Sequence, residues 1–186
     1  MAITIEKTKI KGVLLITPHI YKDDRGLYIK HFEKMAMWEA GIKCSFTESS
    51  DLISRKGSLR GLHYQTECSQ AKLVHTVRGK VFDVALDLRR ESDTFGEYYC
   101  CLLDAKDNKA IFIPEGFAHG YLSLTENSIF CYQSSGTYIP EACGGIIWDD
   151  IDLSIPWPLK EYGIESVIAT DKDRNWPSFR KYAEHK

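Results

Sequence analysis

From residue 13 to residue 134 the chain is built of short runs of β-branched and aromatic residues separated by turn-forming clusters. That texture fits a sandwich or barrel and excludes a helical bundle or a βαβ fold. Val13–Thr17 and Leu27–Phe32 read as strands around the turn Asp23-Asp24-Arg25-Gly26. Leu73–Val77 and Val81–Leu88 flank Arg78-Gly79-Lys80, which predicts a hairpin. Tyr98–Leu103, Ala110–Ile113, Gly120–Leu124 and Ser128–Ser134 continue the series. Helical character is confined to Glu33–Ala40, stopped by Gly41, and to Ser178–Glu184. The expected fold is therefore all-β: an antiparallel jelly-roll barrel with a few short helices. Along Val81–Leu88, strand parity puts Phe82, Val84, Leu86 and Leu88 on one face, the expected core side. The other face carries Asp83 and Asp87, towards solvent or a polar cavity.

A length of 186 residues suits one domain spanning 1–186. Net charge is −2 with no run of like charges, so no basic face exists for nucleic acid. The six cysteines form no C-x-x-C pair, which argues against zinc or dithiol redox chemistry. Neither a signal-like apolar core nor a run of ~20 apolar residues is present. The expectation is a cytoplasmic protein with free thiols and no membrane contact.

Two histidine motifs stand out. In Arg60-Gly61-Leu62-His63-Tyr64-Gln65, strand parity puts His63 and Gln65 on one face. An imidazole, with an unperturbed pKa of ~6.5, suits proton transfer near neutrality, and Arg60 nearby suits an anionic ligand. In Pro114-Glu115-Gly116-Phe117-Ala118-His119, Pro and Gly frame a turn that delivers His119 to the next strand. This P-x-G-x-x-H pattern is similar to the second motif of the cupins. Their first motif supplies a His-x-His metal pair, and here its second position is Gln65. Two histidines and a glutamine make a poor transition-metal site, so no metal is expected. Taken alone, Asp171-Lys172-Asp173-Arg174 is a charged turn, and Tyr132 is either an ordinary half-buried tyrosine or a proton donor.

Together the motifs resemble the dTDP-4-dehydrorhamnose 3,5-epimerase family. The resemblance runs through D-x-R-G at 23–26, L-R-G-L-H-Y-Q at 59–65 and K-L-V at 72–74. It continues through G-K-V-F-D-V-A-L-D-L-R at 79–89, S-D-T-F-G at 92–96 and I-P-E-G-F-A-H-G at 113–120. W-D-D at 148–150, I-P-W-P at 155–158 and D-K-D at 171–173 complete it, in the family's order and over nearly the whole chain. The resemblance implies a cupin-like homodimer, working without metal or organic cofactor on a nucleoside-diphosphate 4-keto-6-deoxy sugar. It implies His63 as base, Asp173 as its dyad partner, Tyr132 as proton donor and Lys72 facing the keto oxygen. Arg25, Arg60, His119 and Lys172 match positions that contact substrate.

Three positions depart from the family pattern. Lys30 stands where an acidic residue is usual, Glu48-Ser49-Ser50 stands for Q-D-N, and Cys143 replaces a glutamate. Because these places surround the nucleotide in the family, Lys30 and Glu48 join the expected binding residues. Glu48 could accept from the exocyclic amine of cytosine. The alternative substrate is therefore a CDP-linked or other non-thymidine keto sugar, inverted at carbon 3 or carbon 5 alone. A metal-dependent cupin oxygenase and a non-catalytic sugar-nucleotide-binding module are the remaining rivals.

Overall fold

The computed structural model describes residues 3–184. The larger sheet has six strands. In spatial order they are β1 (Thr4–Lys7), β2 (Leu14–Thr17), β10 (Ala110–Ile113), β7 (Lys72–Arg78), β12 (Ser128–Ser135) and β5 (Phe46–Ser54). The smaller has five: β13 (Cys143–Gly145), β6 (Leu59–Gln65), β11 (Phe117–Ser123), β8 (Lys80–Asp87) and β9 (Tyr98–Asp104). All pairings between these strands are antiparallel, and the architecture is the jelly-roll barrel that the strand pattern predicts. A separate ribbon joins β3 (His19–Asp23) to β4 (Gly26–Lys30). Three short helices occur among the described residues: α1 (Lys34–Glu39), α2 (Asp171–Arg174) and α3 (Phe179–Glu184). None is long and apolar enough to cross a membrane.

The core is layered. Val74, Ile111, Ile113 and Phe130 of the large sheet meet Val81, Ala85, Phe117 and Tyr121 of the small one inside the barrel. Losing an aromatic here costs about 3–5 kcal/mol. A second layer packs α1 on the outside of the large sheet, where Met37 meets Leu14, Ile16, Leu73 and Phe112. A third lies outside the small sheet, where Leu62, Val84 and Leu86 are covered by Ile146, Leu153, Ile155 and the partly buried Trp157 and Phe179.

That third layer corrects the reading of β8. Both of its faces are buried, because the chain after residue 146 wraps over the outside of the sheet. The Phe82 face is the covered outer one, and the Asp83 face is the barrel interior, so the polar-cavity alternative holds. Asp87 is buried too, held by Arg89, Ser92 and Thr94 at the end of the strand.

Two turn assignments also change. Lys72–Arg78 and Lys80–Asp87 do not pair as a hairpin; they lie in different sheets. Gly79, at φ +79°, carries the chain across, and a Cβ there would stand 2.2 Å from Thr125 Oγ1 and 2.8 Å from Ser128 Oγ. Residues 14–17 pair with β1 and β10, whereas the Asp23–Gly26 turn joins 19–23 to 26–30. Pro18 separates the two segments, since it has no N–H to continue a ladder.

Candidate active site

Strands β6 and β11 carry Arg60, His63, His119 and Tyr121 towards the barrel interior. Their register shifts midway: Arg60 pairs with Tyr121, but His63 pairs with His119. Three steps along β6 therefore match two along β11. Residues three apart point to opposite faces of a regular strand, and the bulge brings Arg60 and His63 back to the same side. Gly61 makes the close approach possible. A Cβ there would lie 2.6 Å from Gly120 Cα and 2.7 Å from the His119 carbonyl oxygen.

His63 is open to the cavity, with 42% of its side chain exposed, whereas its partner Asp173 is 5% exposed. His63 Nε2 donates to Asp173 Oδ1, leaving Nδ1 as the nitrogen free to take a proton. Asp173 sits in α2, whose N-cap is Thr170. Thr170 Oγ1 donates to Asp173 Oδ2 at 2.7 Å and accepts from the Asp173 N–H at 3.2 Å. Burial alone would raise the Asp173 carboxyl. The hydrogen bonds from His63 and Thr170, the His63 charge and the Gly61 N–H overcome it and hold the group at about 2. The carboxylate is thus fixed as an anion that orients the imidazole and stabilises an imidazolium. The edge of Trp176 packs against the His63 ring at 6.1 Å.

A second pair lies deeper. His119 Nε2 and Asp83 Oδ2 are 2.7 Å apart, and both side chains are shut off from solvent at 2% and 0% exposure. Asp83 Oδ1 has no hydrogen-bond partner, but its charge acts on Lys72. Burial pulls the Lys72 ammonium down to about 8, against the opposing pull of Asp83 and Cys143. Tyr132, across the barrel on β12, packs its ring 5.4 Å from His119, 5.1 Å from Phe130 and 6.3 Å from Tyr121. Burial, then Tyr121 and Asp83, push its hydroxyl well above the ordinary tyrosine value, while Arg60 pulls the other way. The interior therefore presents an accessible imidazole, a buried cation and a buried phenol that keeps its proton.

The model of the dTDP-4-dehydrorhamnose 3,5-epimerase family matches residues 7–181. The chain belongs to this family. The epimerase is thus an isomerase that inverts stereocentres of a nucleotide-linked keto sugar. It is 42% identical over 175 residues to the dTDP-4-dehydrorhamnose 3,5-epimerase of Methanothermobacter thermautotrophicus, covering 94% of each chain. The solved enzyme of Legionella pneumophila, in complex with dTDP-4-keto-L-rhamnose, superposes with a TM-score of 0.91 at 37% identity, over 96% of this chain and 94% of that one. ChmJ, a 3'-monoepimerase of Streptomyces bikiniensis in complex with dTDP-quinovose, gives 0.85 at 30% identity, over 95% and 88%.

The remaining expected residues fall into two groups in the epimerase. Arg60 and Lys172 lie near His63, with Lys172 on α2 resting 5.1 Å above the Trp176 ring, whereas the His119 side chain is 2% exposed. Glu48 stands on the edge strand β5, opposite Ser134, whose other cross-strand neighbour is Lys72. Its carboxylate accepts from the Tyr138 N–H at 3.4 Å. Arg25 and Lys30 lie elsewhere, on the β3–β4 ribbon. Arg25 is at the exposed tip, paired with Asp23, and Lys30 is at the base opposite His19.

Gln65 occupies the place where a cupin would have its second metal histidine. It ties down the 137–139 loop instead, donating to the Thr137 carbonyl at 3.1 Å and accepting from the Ile139 N–H at 2.7 Å. Among the described residues no group of three or more His, Cys, Asp or Glu side chains is placed to hold a metal ion. Asp83 as partner of His119, Thr170 as support of Asp173, and the Tyr121–Ser54 pair are absent from the motif reading. For Asp83 the one signal is its parity on β8. Ser54 and Thr170 lie in segments with no hydrophobic period.

Proposed function

We propose that the epimerase inverts carbon 3 and carbon 5 of a dTDP-linked 4-keto-6-deoxy sugar. The observation that carries this is His63, open on one side to the cavity and anchored on the other to a carboxylate fixed as an anion. The complex of the Legionella relative with dTDP-4-keto-L-rhamnose supports the nucleotide and the sugar.

The chemistry follows from charge placement. The ketone at carbon 4 acidifies its neighbours. His63 Nδ1 takes the proton from carbon 3 or carbon 5, and the bonding electrons move onto the keto oxygen. Lys72, a compact cation held in a low-dielectric wall, meets the negative charge that develops there. The enolate is planar, so Tyr132 can deliver its proton to the opposite face and invert the centre. Lys172, on α2 above the Trp176 ring, suits the diphosphate. The residues of the chain itself supply each proton and charge in this scheme, with no cofactor.

The β3–β4 ribbon suggests the assembly. It exposes Leu27 at 58% and Tyr28 at 60%, together with Ile20 and Tyr21. A two-stranded ribbon is marginal alone in water. A homodimer, whose second copy covers these side chains, accounts for the ribbon and for Arg25 and Lys30 standing away from the cavity of their own barrel. Sedimentation of the wild type as a monomer would count against it.

A single-centre reading has one supporting fact, the likeness to ChmJ, a 3'-monoepimerase. One experiment tests both. The protein is incubated with 4-keto-6-deoxyglucose linked to dTDP, CDP or GDP in heavy water, and deuterium is located by mass spectrometry. Label at both centres with the dTDP sugar is the expected result. Label at one centre selects the single-centre reading, a preference for CDP overturns the nucleotide, and no label overturns the function.

A further inference from the structure

Tyr121 is fully buried inside the barrel, yet it is a tyrosine among aliphatic and aromatic neighbours that need no hydroxyl. Its oxygen is 2.8 Å from Ser54 Oγ, on the strand at the edge of the opposite sheet. On the other side, Tyr121 is the direct cross-strand partner of Arg60. Side chains so placed on one face have Cβ atoms about 5 Å apart. Burial raises the Tyr121 hydroxyl, and Ser54 and Arg60 oppose that rise. A guanidinium only donates. The consistent arrangement has Tyr121 accepting from Arg60 and donating to Ser54.

Arg60 stays exposed on the strand, and its cross-strand partner Tyr121, whose ring lies 6.3 Å from that of Tyr132, offers it a hydroxyl to settle on. The charged and titratable groups acting on Tyr132 are Tyr121 and Asp83, which disfavour its anion, and Arg60, the one that favours it. When Tyr132 gives its proton to the enolate face, an O–H bond breaks, a C–H bond forms and a tyrosinate remains in a buried site. Such an anion is costly without a counter-charge.

We infer that Tyr121 and Ser54 are positioning residues that hold Arg60 as the counter-charge for the tyrosinate of Tyr132. The inference rests on the proposed proton-donor role of Tyr132. It makes the two proton-transfer groups equivalent in construction. His63 is backed by Asp173, which Thr170 holds, and Tyr132 is backed by Arg60, which Tyr121 and Ser54 hold. Tyrosinate reprotonation from solvent closes the cycle.

The test compares Tyr121→Phe, Ser54→Ala and Ser54→Thr with wild type on the dTDP-linked 4-keto-6-deoxy sugar in heavy water. Two rates are read in one run: wash-in of deuterium without inversion, which reports His63, and net inversion, which reports Tyr132. Tyr121→Phe keeps the ring and its packing. It is expected to leave wash-in within about twofold and KM unchanged, while slowing inversion about tenfold, a fraction of the ~10²–10⁴ that a placed acid supplies. Ser54→Ala is expected to move inversion the same way by a smaller factor, and Ser54→Thr to restore it. Equal losses in both rates, a rise in KM alone, or no change would each overturn the inference. The wild-type arm keeps the underlying reading separate, because absence of wash-in and inversion there would reject the epimerase reaction itself.

Discussion

The barrel holds two His–Asp pairs of the same chemistry in opposite surroundings. His63–Asp173 sits at the cavity wall, with nearly half of the imidazole open. His119–Asp83 is sealed inside, 2.7 Å apart and almost without exposure. Exposure separates their tasks. An imidazole that must reach a carbon-bound proton needs one nitrogen free, and His63 Nδ1 is free. The sealed pair has no route for a proton to and from solvent, so its use is as a fixed charge beside Lys72 and as a wall for Tyr132. Residue type alone would have made the two interchangeable.

The comparison is easiest to break at His63. His63→Ala should lower solvent exchange by the ~10²–10⁴-fold that a placed base supplies, with the fold intact by circular dichroism. Persistent exchange would move the base elsewhere. His119→Ala should act chiefly on stability, by about 3–5 kcal/mol, because it strands a buried carboxylate. Urea denaturation measures this, and an unchanged midpoint would show that the sealed pair carries no structural weight. Asp173→Asn should cost ~10²-fold in exchange, with the affinity for substrate preserved.

The pH dependence sharpens the contrast further. Lys72 keeps its charge below about pH 8 and loses it above, so inversion should decline on the alkaline side of pH 8. Asp83→Asn removes a charge that raises Lys72, and should move that decline to lower pH; a limb that stays in place would uncouple the sealed pair from Lys72. The smallest effect belongs to Thr170→Val, which removes both hydrogen bonds between the Thr170 hydroxyl and Asp173, each worth about 1 kcal/mol. A loss of a few-fold in exchange is expected.

Strand existence was readable in the sequence because alternation and turn residues are local signals. The strands β8, β9, β10 and β12 fall close to their expected ranges, and so do α1 and α3. The edge strand β5 is different. Its residues Thr47-Glu48-Ser49-Ser50-Asp51 have no apolar period, since one side faces solvent and the other the polar cavity. The crossing at Gly79 was illegible for another reason. A short turn between two strands looks the same whether they pair or part, and the crowding of Thr125 and Ser128 that forces parting comes from residues more than forty positions away. In the site, the motif histidines, Tyr132, Lys72 and Asp173 carry recognisable spacing. What orients them, Thr170, Asp83 and the Tyr121–Ser54 pair, is set by the third dimension.

The bulge in β6 has a consequence for how this chain tolerates change in length. Between Arg60 and His63 the bulge, which accommodates one extra residue, is what lets both side chains face inward. Deleting Leu62 alone would restore the regular two-residue interval, so Arg60 and His63 would still share the inner face, and the loss would fall on the outer layer, which Leu62 helps to fill. Most strands of the barrel meet a one-residue indel by sliding their ends. This one would absorb a deletion at the bulge, so the interval Gly61–Leu62 is a place where the strand can shorten without turning its side chains over.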